Sequence, residues 1–104
     1  MFAGLARYAR PHLARAGVRH PDRMFGLHQT GHVSEEYLLD VLQQLPDGVS
    51  EIYSHAALAD DEAQRWRPAD YESERELAAL TNPRLRAALD AAGIVRMSYR
   101  DLTA

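Results

Sequence analysis

The chain has 104 residues, 46% hydrophobic and 26% charged, with no cysteine and a formal net charge of −3. These totals describe one globular domain, residues 1–104, with a modest core, and they exclude a disulfide framework or a thiolate metal site. No apolar run approaches the roughly 20 residues that a membrane span needs, so no span is expected.

Charge is spread unevenly. The first 23 residues carry five arginines against Asp22 alone, whereas the remainder carries seven arginines against fourteen acids. A basic, acid-poor start is compatible with a nucleic-acid arm or an organelle transit peptide. Phe2, Leu5, Ala9, Leu13 and Ala16 supply an apolar stripe, however, and the segment reads as an amphipathic helix with a solvated arginine face. No nucleic-acid partner is expected. Pro11 is the weak point of that helix, because an interior proline removes a hydrogen bond. Gly17 and Pro21 close it.

"RMFGL", Arg23 to Leu27, is a short apolar run that suits a buried strand. "HQTGHV" follows as a loop, and Ser34 is a good N-cap for the next helix. Glu35 and Glu36 fall in its first turn, where the helix dipole favours negative charge. Leu38, Val41, Leu42 and Leu45 then recur at helical spacing, and "PDG", Pro46 to Gly48, ends the helix. Val49 to Tyr53 is the second expected strand. A polar loop, Ala57 to Ala69, holds Trp66 between two arginines. "YESERELAAL" predicts a helix from about Glu72 to Leu80. Thr81 or Asn82 caps another, with Pro83 at its first position and Gly93 at its end. Ile94 to Tyr99, "IVRMSY", is the third expected strand.

Strands alternating with helices at these lengths imply right-handed crossovers and a parallel sheet. The fold class expected is therefore α/β, a three-stranded parallel βαβαβ segment. Three strands leave both sheet edges open, which makes the segment an arc of a larger barrel or sheet and predicts a homo-oligomer.

In a parallel sheet the carboxyl ends of the strands share one rim, where α/β proteins place their sites. That rim would gather His28 and Gln29 after the first strand, Ser54 and His55 after the second, and Ser98, Tyr99 and Arg100 at the third. His28 and His32 have a spacing that can hold zinc on a helix, but Gly31 lies between them and the segment reads as a loop. The acids Asp60, Asp61 and Glu62 read as a solvated loop. Trp66, flanked by arginines, could stack on a sugar or cover a core edge.

"FGLHQTGHVSEEYLLDVLQQLPDGVSEIYSH", followed by "YESERELAALTNPRLRAALDAAGI", resembles the C-terminal part of YdjC-like carbohydrate deacetylases, most closely the hopanoid-biosynthesis branch. "LPDGVSEIYSH" resembles that family's strand ending in Glu-apolar-Tyr-x-His-Pro, and "GIVRMSYRDL" its closing strand. The resemblance implies a (β/α) barrel-like fold and metal-assisted hydrolysis of an N-acetylated sugar or glycolipid, in that branch an N-acetylglucosaminyl hopanoid. It implies a divalent ion, Mg or Zn, for the complete enzyme, to polarise the acetyl carbonyl and activate water.

By position, His55 matches the family's histidine at this strand end, as general acid or substrate-positioning donor. Ser54, His28, Tyr99 and Arg100 are the expected substrate-binding residues. Tyr53 alternates away from Ser54 along the strand and reads as packing. The family's metal ligands, an aspartate and two histidines, have no counterpart in this chain, and Ala56 stands where the family has proline. The expectation is thus a C-terminal segment that is inactive alone, cytoplasmic, and for a hopanoid substrate working at the inner face of the membrane. Two alternatives stay open: a non-catalytic α/β oligomerisation or binding module, and a small metal-binding protein using His28, His32 and His55.

Overall fold

The computed structural model describes residues 2–102, with side chains from Gly4 onward. The described chain is α/β, with six α-helices, one 3-10 turn and two strands. Its contacts divide it into two compact units, one running from Asp22 to Val95 and the other holding the segments before and after it.

The larger unit contains both strands, β1 (Arg23–Phe25) and β2 (Ser50–Ile52). They pair in parallel, with Arg23 opposite Ser50, Met24 opposite Glu51 and Phe25 opposite Ile52. Asp22 sets that register. Its backbone N–H donates to the Val49 carbonyl at 2.8 Å, and its Oδ2 accepts from the Val49 N–H at 2.8 Å. Gly48 makes the turn into β2 at φ 110°, and a Cβ there would lie 2.6 Å from the same Asp22 Oδ2. Beyond the strands, the Tyr53 N–H donates to the Phe25 carbonyl at 2.8 Å, carrying the pairing one residue further.

The crossover between the strands is α2 (Glu35–Gln44), following the first helix of the chain, α1 (Phe2–Arg15). Ser34 caps α2 as its sequence predicts, accepting from the Tyr37 N–H at 3.1 Å. The apolar stripe of α2 then builds the core. Leu38 is fully buried, and with Val33, Leu42, Ala79 and Leu85 it forms one cluster, flanked by Tyr37, Ile52, Leu89 and Ile94. Burying one such leucine contributes about 2–3 kcal/mol. Ala79 and Leu85 come from α4 (Ser73–Leu80) and α5 (Pro83–Ala91), which both pack on α2. Asn82 caps α5 by accepting from the Arg84 N–H at 2.9 Å, with Pro83 in its first turn.

Two elements differ from the sequence reading. The segment from Ala57 to Ala69 is not all loop: α3 (Asp61–Trp66) forms within it, capped by Asp60, whose Oδ1 accepts from the Ala63 N–H at 2.7 Å. The acids Asp61 and Glu62 fill its first turn, where they favour a helix start. Trp66 covers no core edge. It is exposed, with the Arg65 guanidinium 5.2 Å from its ring centroid.

The third strand expected over Ile94 to Tyr99 is not formed among the described residues. Residues 94–98 have no regular structure, and α6 (Tyr99–Leu102) begins where the strand would end. The physical reason lies in the side chains. Ile94 packs against the core, but Val95 is 84% exposed and Met97 and Tyr99 are also exposed, so beyond Ile94 the run does not bury the side chains a core strand would.

The smaller unit comprises α1, the loop after it and α6. α1 forms over the predicted span and contains Pro11. Leu5 and Tyr8 are exposed on it. The Arg19 guanidinium donates to the Leu102 carbonyl at 3.2 Å, and the Ser98 N–H and hydroxyl both donate to Asp101 Oδ2 across the start of α6. No described helix is long and apolar enough to cross a membrane.

Candidate functional site

The carboxyl ends of the two parallel strands meet a second layer formed by the start of α4. At the end of β1 the chain turns sharply. Gly26 is buried at φ 102°, and a Cβ on it would lie 2.4 Å from the Tyr53 carbonyl oxygen. Only glycine allows the two strand ends to approach so closely. A 3-10 turn, Leu27–Gln29, carries His28 out to an exposed position on this rim. Gly31 then turns at φ 81° against the ring of Tyr71, where a Cβ would lie 2.6 Å from Cδ1. The Glu72 N–H donates to the Gly31 carbonyl at 2.7 Å. The two glycines therefore bring the loop after β1 onto both the end of β2 and the segment entering α4.

His55 sits at the centre of this junction, half-buried. Its Nε2 shares a 2.9 Å hydrogen bond with the Tyr53 hydroxyl. Its ring lies edge-on between two tyrosines, with centroids 4.8 Å from both Tyr53 and Tyr71. Such pairs hold an imidazole in one orientation and contribute about 0.5–1.5 kcal/mol each. Its backbone N–H donates to Glu76 Oε1 at 3.0 Å. Glu76 is completely buried in α4, and Ser73, one turn earlier, is buried too. The Ser73 carbonyl accepts from the Ala57 N–H at 3.2 Å, so α4 grips the loop on both sides of Ala56. Two atoms in the cluster are enclosed without a partner, His55 Nδ1 and Glu76 Oε2.

The rim around this cluster is polar and ion-paired. Glu72 Oε1 accepts from His32 Nδ1 at 2.7 Å, and Glu72 Oε2 from Arg75 at 2.8 Å. The hydrogen bond from His32, and then that from Arg75, holds the Glu72 carboxyl below its ordinary range. Glu74 is also held low, chiefly by its hydrogen bond from Arg67 and then by one from its own backbone.

Of the residues singled out in the sequence, Ser54 and His55 lie in the segment just after β2 and His28 in the turn after β1, both beyond the carboxyl ends of the strands. Tyr99 and Arg100 lie on α6, in the other unit, and not at a strand end. His32 is engaged with Glu72. No group of three or more His, Asp or Glu side chains placed to hold a metal ion occurs among the described residues. The described cluster therefore does not fit a divalent ion, and a site built from His28, His32 and His55 is not formed.

Three participants were not legible as such. Tyr53 is not simple packing, since its hydroxyl reaches His55. The i, i+2 spacing of Tyr53 and His55, which puts alternate strand residues on one face, was the available signal. Glu76 carried no signal of its own, as one acid among several in "YESERELAAL", and Tyr71 only the resemblance of that segment to the family's tyrosine and acidic-arginine helix.

Residues 1–91 match the family described as YdjC-like protein. The chain belongs to the YdjC-like protein family. The match includes both strands, α2, α4 and the whole His55 cluster. No curated protein and no solved structure matches the chain significantly.

Proposed function

We propose that this YdjC-like chain is the C-terminal part of a metal-dependent carbohydrate N-deacetylase, inactive by itself, in which His55 is the general acid or the substrate-positioning donor. The observation that carries the reading is the position of His55, at the carboxyl end of a parallel strand and clamped by Tyr53, Tyr71 and Glu76. That is the end of a parallel sheet at which α/β enzymes assemble their sites. Hydrolysis of an N-acetyl group requires a proton for the departing amine, and imidazole exchanges protons near neutral pH. The edge-on tyrosines keep the ring from rotating, and they offer flat faces and a hydroxyl to a sugar. Ser54, His28, Tyr99 and Arg100 are the proposed substrate-binding residues.

The divalent ion that the resemblance implies, Mg or Zn, would be held by residues other than those of the described cluster. In the complete barrel-like fold, Ile94 to Tyr99 would add to the sheet as its third strand. The substrate proposed is an N-acetylated sugar or glycolipid, with an N-acetylglucosaminyl hopanoid as the specific candidate and the cytoplasmic face of the membrane as the place of work.

The test is His55→Ala in the complete enzyme, with turnover measured on N-acetylated sugars. A loss of at least tenfold with folding intact is expected, on the scale of acid–base contributions. Unchanged turnover would reduce His55 to a scaffold residue.

A second reading, a non-catalytic oligomerising module, is favoured by the bare edges of the two-stranded sheet and by the exposure of Leu5, Tyr8, Val95 and Met97. The sequence encoded upstream of Met1 separates the two readings. An aspartate and paired histidines there support the enzyme, and an in-frame stop codon supports the module.

A further inference from the structure

Two pairs of neighbouring residues face each other beside the His55 cluster: Gly31 and His32 in the loop after β1, Tyr71 and Glu72 at the entry to α4. Three contacts join them. The Gly31 carbonyl accepts from the Glu72 N–H at 2.7 Å, and a Cβ on Gly31 would meet the Tyr71 ring 2.6 Å from Cδ1. The third is between side chains, where Glu72 Oε1 accepts from His32 Nδ1 at 2.7 Å. A carboxylate only accepts, so Nδ1 carries the proton of that bond whether the imidazole is neutral or charged.

Glu72 forgoes an ordinary role to make this contact. It occupies the N-cap position of α4, where an acidic side chain commonly accepts from the N–H groups of the first turn, yet it makes no side-chain cap hydrogen bond. Its two oxygens are turned instead to His32 and Arg75. Tyr71, the residue before it, places its ring edge-on to that of His55, with centroids 4.8 Å apart. The Tyr71 N–H bonds within its own loop, to the Pro68 carbonyl at 3.1 Å. The ties that carry Tyr71 across to the loop after β1 therefore run through Gly31, His32 and Glu72.

We infer that His32 and Glu72 are positioning residues for the site: their side-chain pair closes the two segments on each other and thereby holds the Tyr71 ring against His55. Both side chains are part-exposed, and an exposed ion pair adds little to stability. The pair therefore acts on the placement of the ring and not on whether the chain folds. For catalysis this deepens the deacetylase reading, and in that respect rests on it: Tyr71 is one of the two rings that orient His55, and His32 and Glu72 act through it.

The experiment observes this chain without substrate. Nuclear Overhauser contacts between the ring protons of Tyr71 and His55 are recorded for the wild type, His32→Ala, Glu72→Ala and His32→Asn. The wild type is expected to show them. Both alanine variants are expected to lose them while remaining folded. His32→Asn is expected to keep them, because its amide N–H can take the place of Nδ1–H. A pair that merely lent stability would leave the ring contacts of the folded chain in place in both alanine variants, and that result would overturn the inference.

A wild type without the Tyr71–His55 contacts would overturn it equally. So would their loss in His32→Asn, since the bulk of the imidazole and not its hydrogen bond would then hold the ring. Should one alanine variant fail to fold, the other, made from the opposite side of the pair, decides. Because no turnover is measured, failure here leaves the deacetylase reading standing. A complete enzyme without deacetylase activity would in turn leave the placement of Tyr71 by His32 and Glu72 untouched.

Discussion

Gly26→Ala tests whether the approach of the two strand ends is what assembles the rim. The substitution meets two obstacles. The backbone is at φ 102°, where an L side chain costs about 1–2 kcal/mol. The new Cβ also lies 2.4 Å from the carbonyl oxygen of Tyr53, a residue tied to β1 by its N–H donating to the Phe25 carbonyl. Relieving that contact means displacing one strand end, at the about 1–3 kcal/mol typical of an overpacked interior. The sum is about 2–5 kcal/mol. Gly93→Ala is the internal control, because Gly93 lies in the same unit at φ 68° with nothing within 4 Å of a Cβ. It incurs only the backbone cost, about 1–2 kcal/mol.

Urea unfolding followed by far-ultraviolet circular dichroism measures both variants. With a slope of about 1 kcal/mol per molar urea for a domain of this size, the Gly26→Ala midpoint should fall about 1–3 M further than that of Gly93→Ala. Equal midpoints for the two variants would refute the argument, since the close strand contact would then contribute nothing.

Leu38→Ala should destabilise the larger unit by about 3–5 kcal/mol in the same assay, because the side chain is fully buried at the centre of the core. A loss under 1 kcal/mol would show that α2 does not anchor α4 and α5. The Glu72 carboxyl is held low by His32 and Arg75. The stability it contributes is therefore present above the ordinary glutamate value of about 4.3 and is lost as pH falls through its lower folded value. The stability difference between the wild type and Glu72→Gln should accordingly be constant above about pH 5 and shrink below about pH 4. A difference that grows on acidification would contradict the pairing.

Local physics made much of the fold legible from the residues alone. Ser34, Asn82 and Pro83 start helices for reasons contained in a few neighbouring atoms, and the spacing of Leu38, Val41 and Leu42 fixes which face of α2 is buried. The alternation of strand and helix was enough for a parallel pair, and with it for the placement of His55 on the carboxyl rim. The short helix Asp61–Trp66 was readable in principle from its Asp60 cap, but polar composition masked it.

Other features required the folded chain, because they depend on what distant segments bring together. Whether Ile94 to Ser98 becomes a strand is decided by the presence of a neighbour to pair with, which apolar character cannot supply. Glu76 looks like any surface acid until α4 docks on α2 and turns it inward. There, 21 residues along the chain, it meets the backbone of His55. The sequence determined where the imidazole would stand, since strand direction is a property of local connectivity. Tertiary structure decided what surrounds it, since burial and partnership exist only once helices pack.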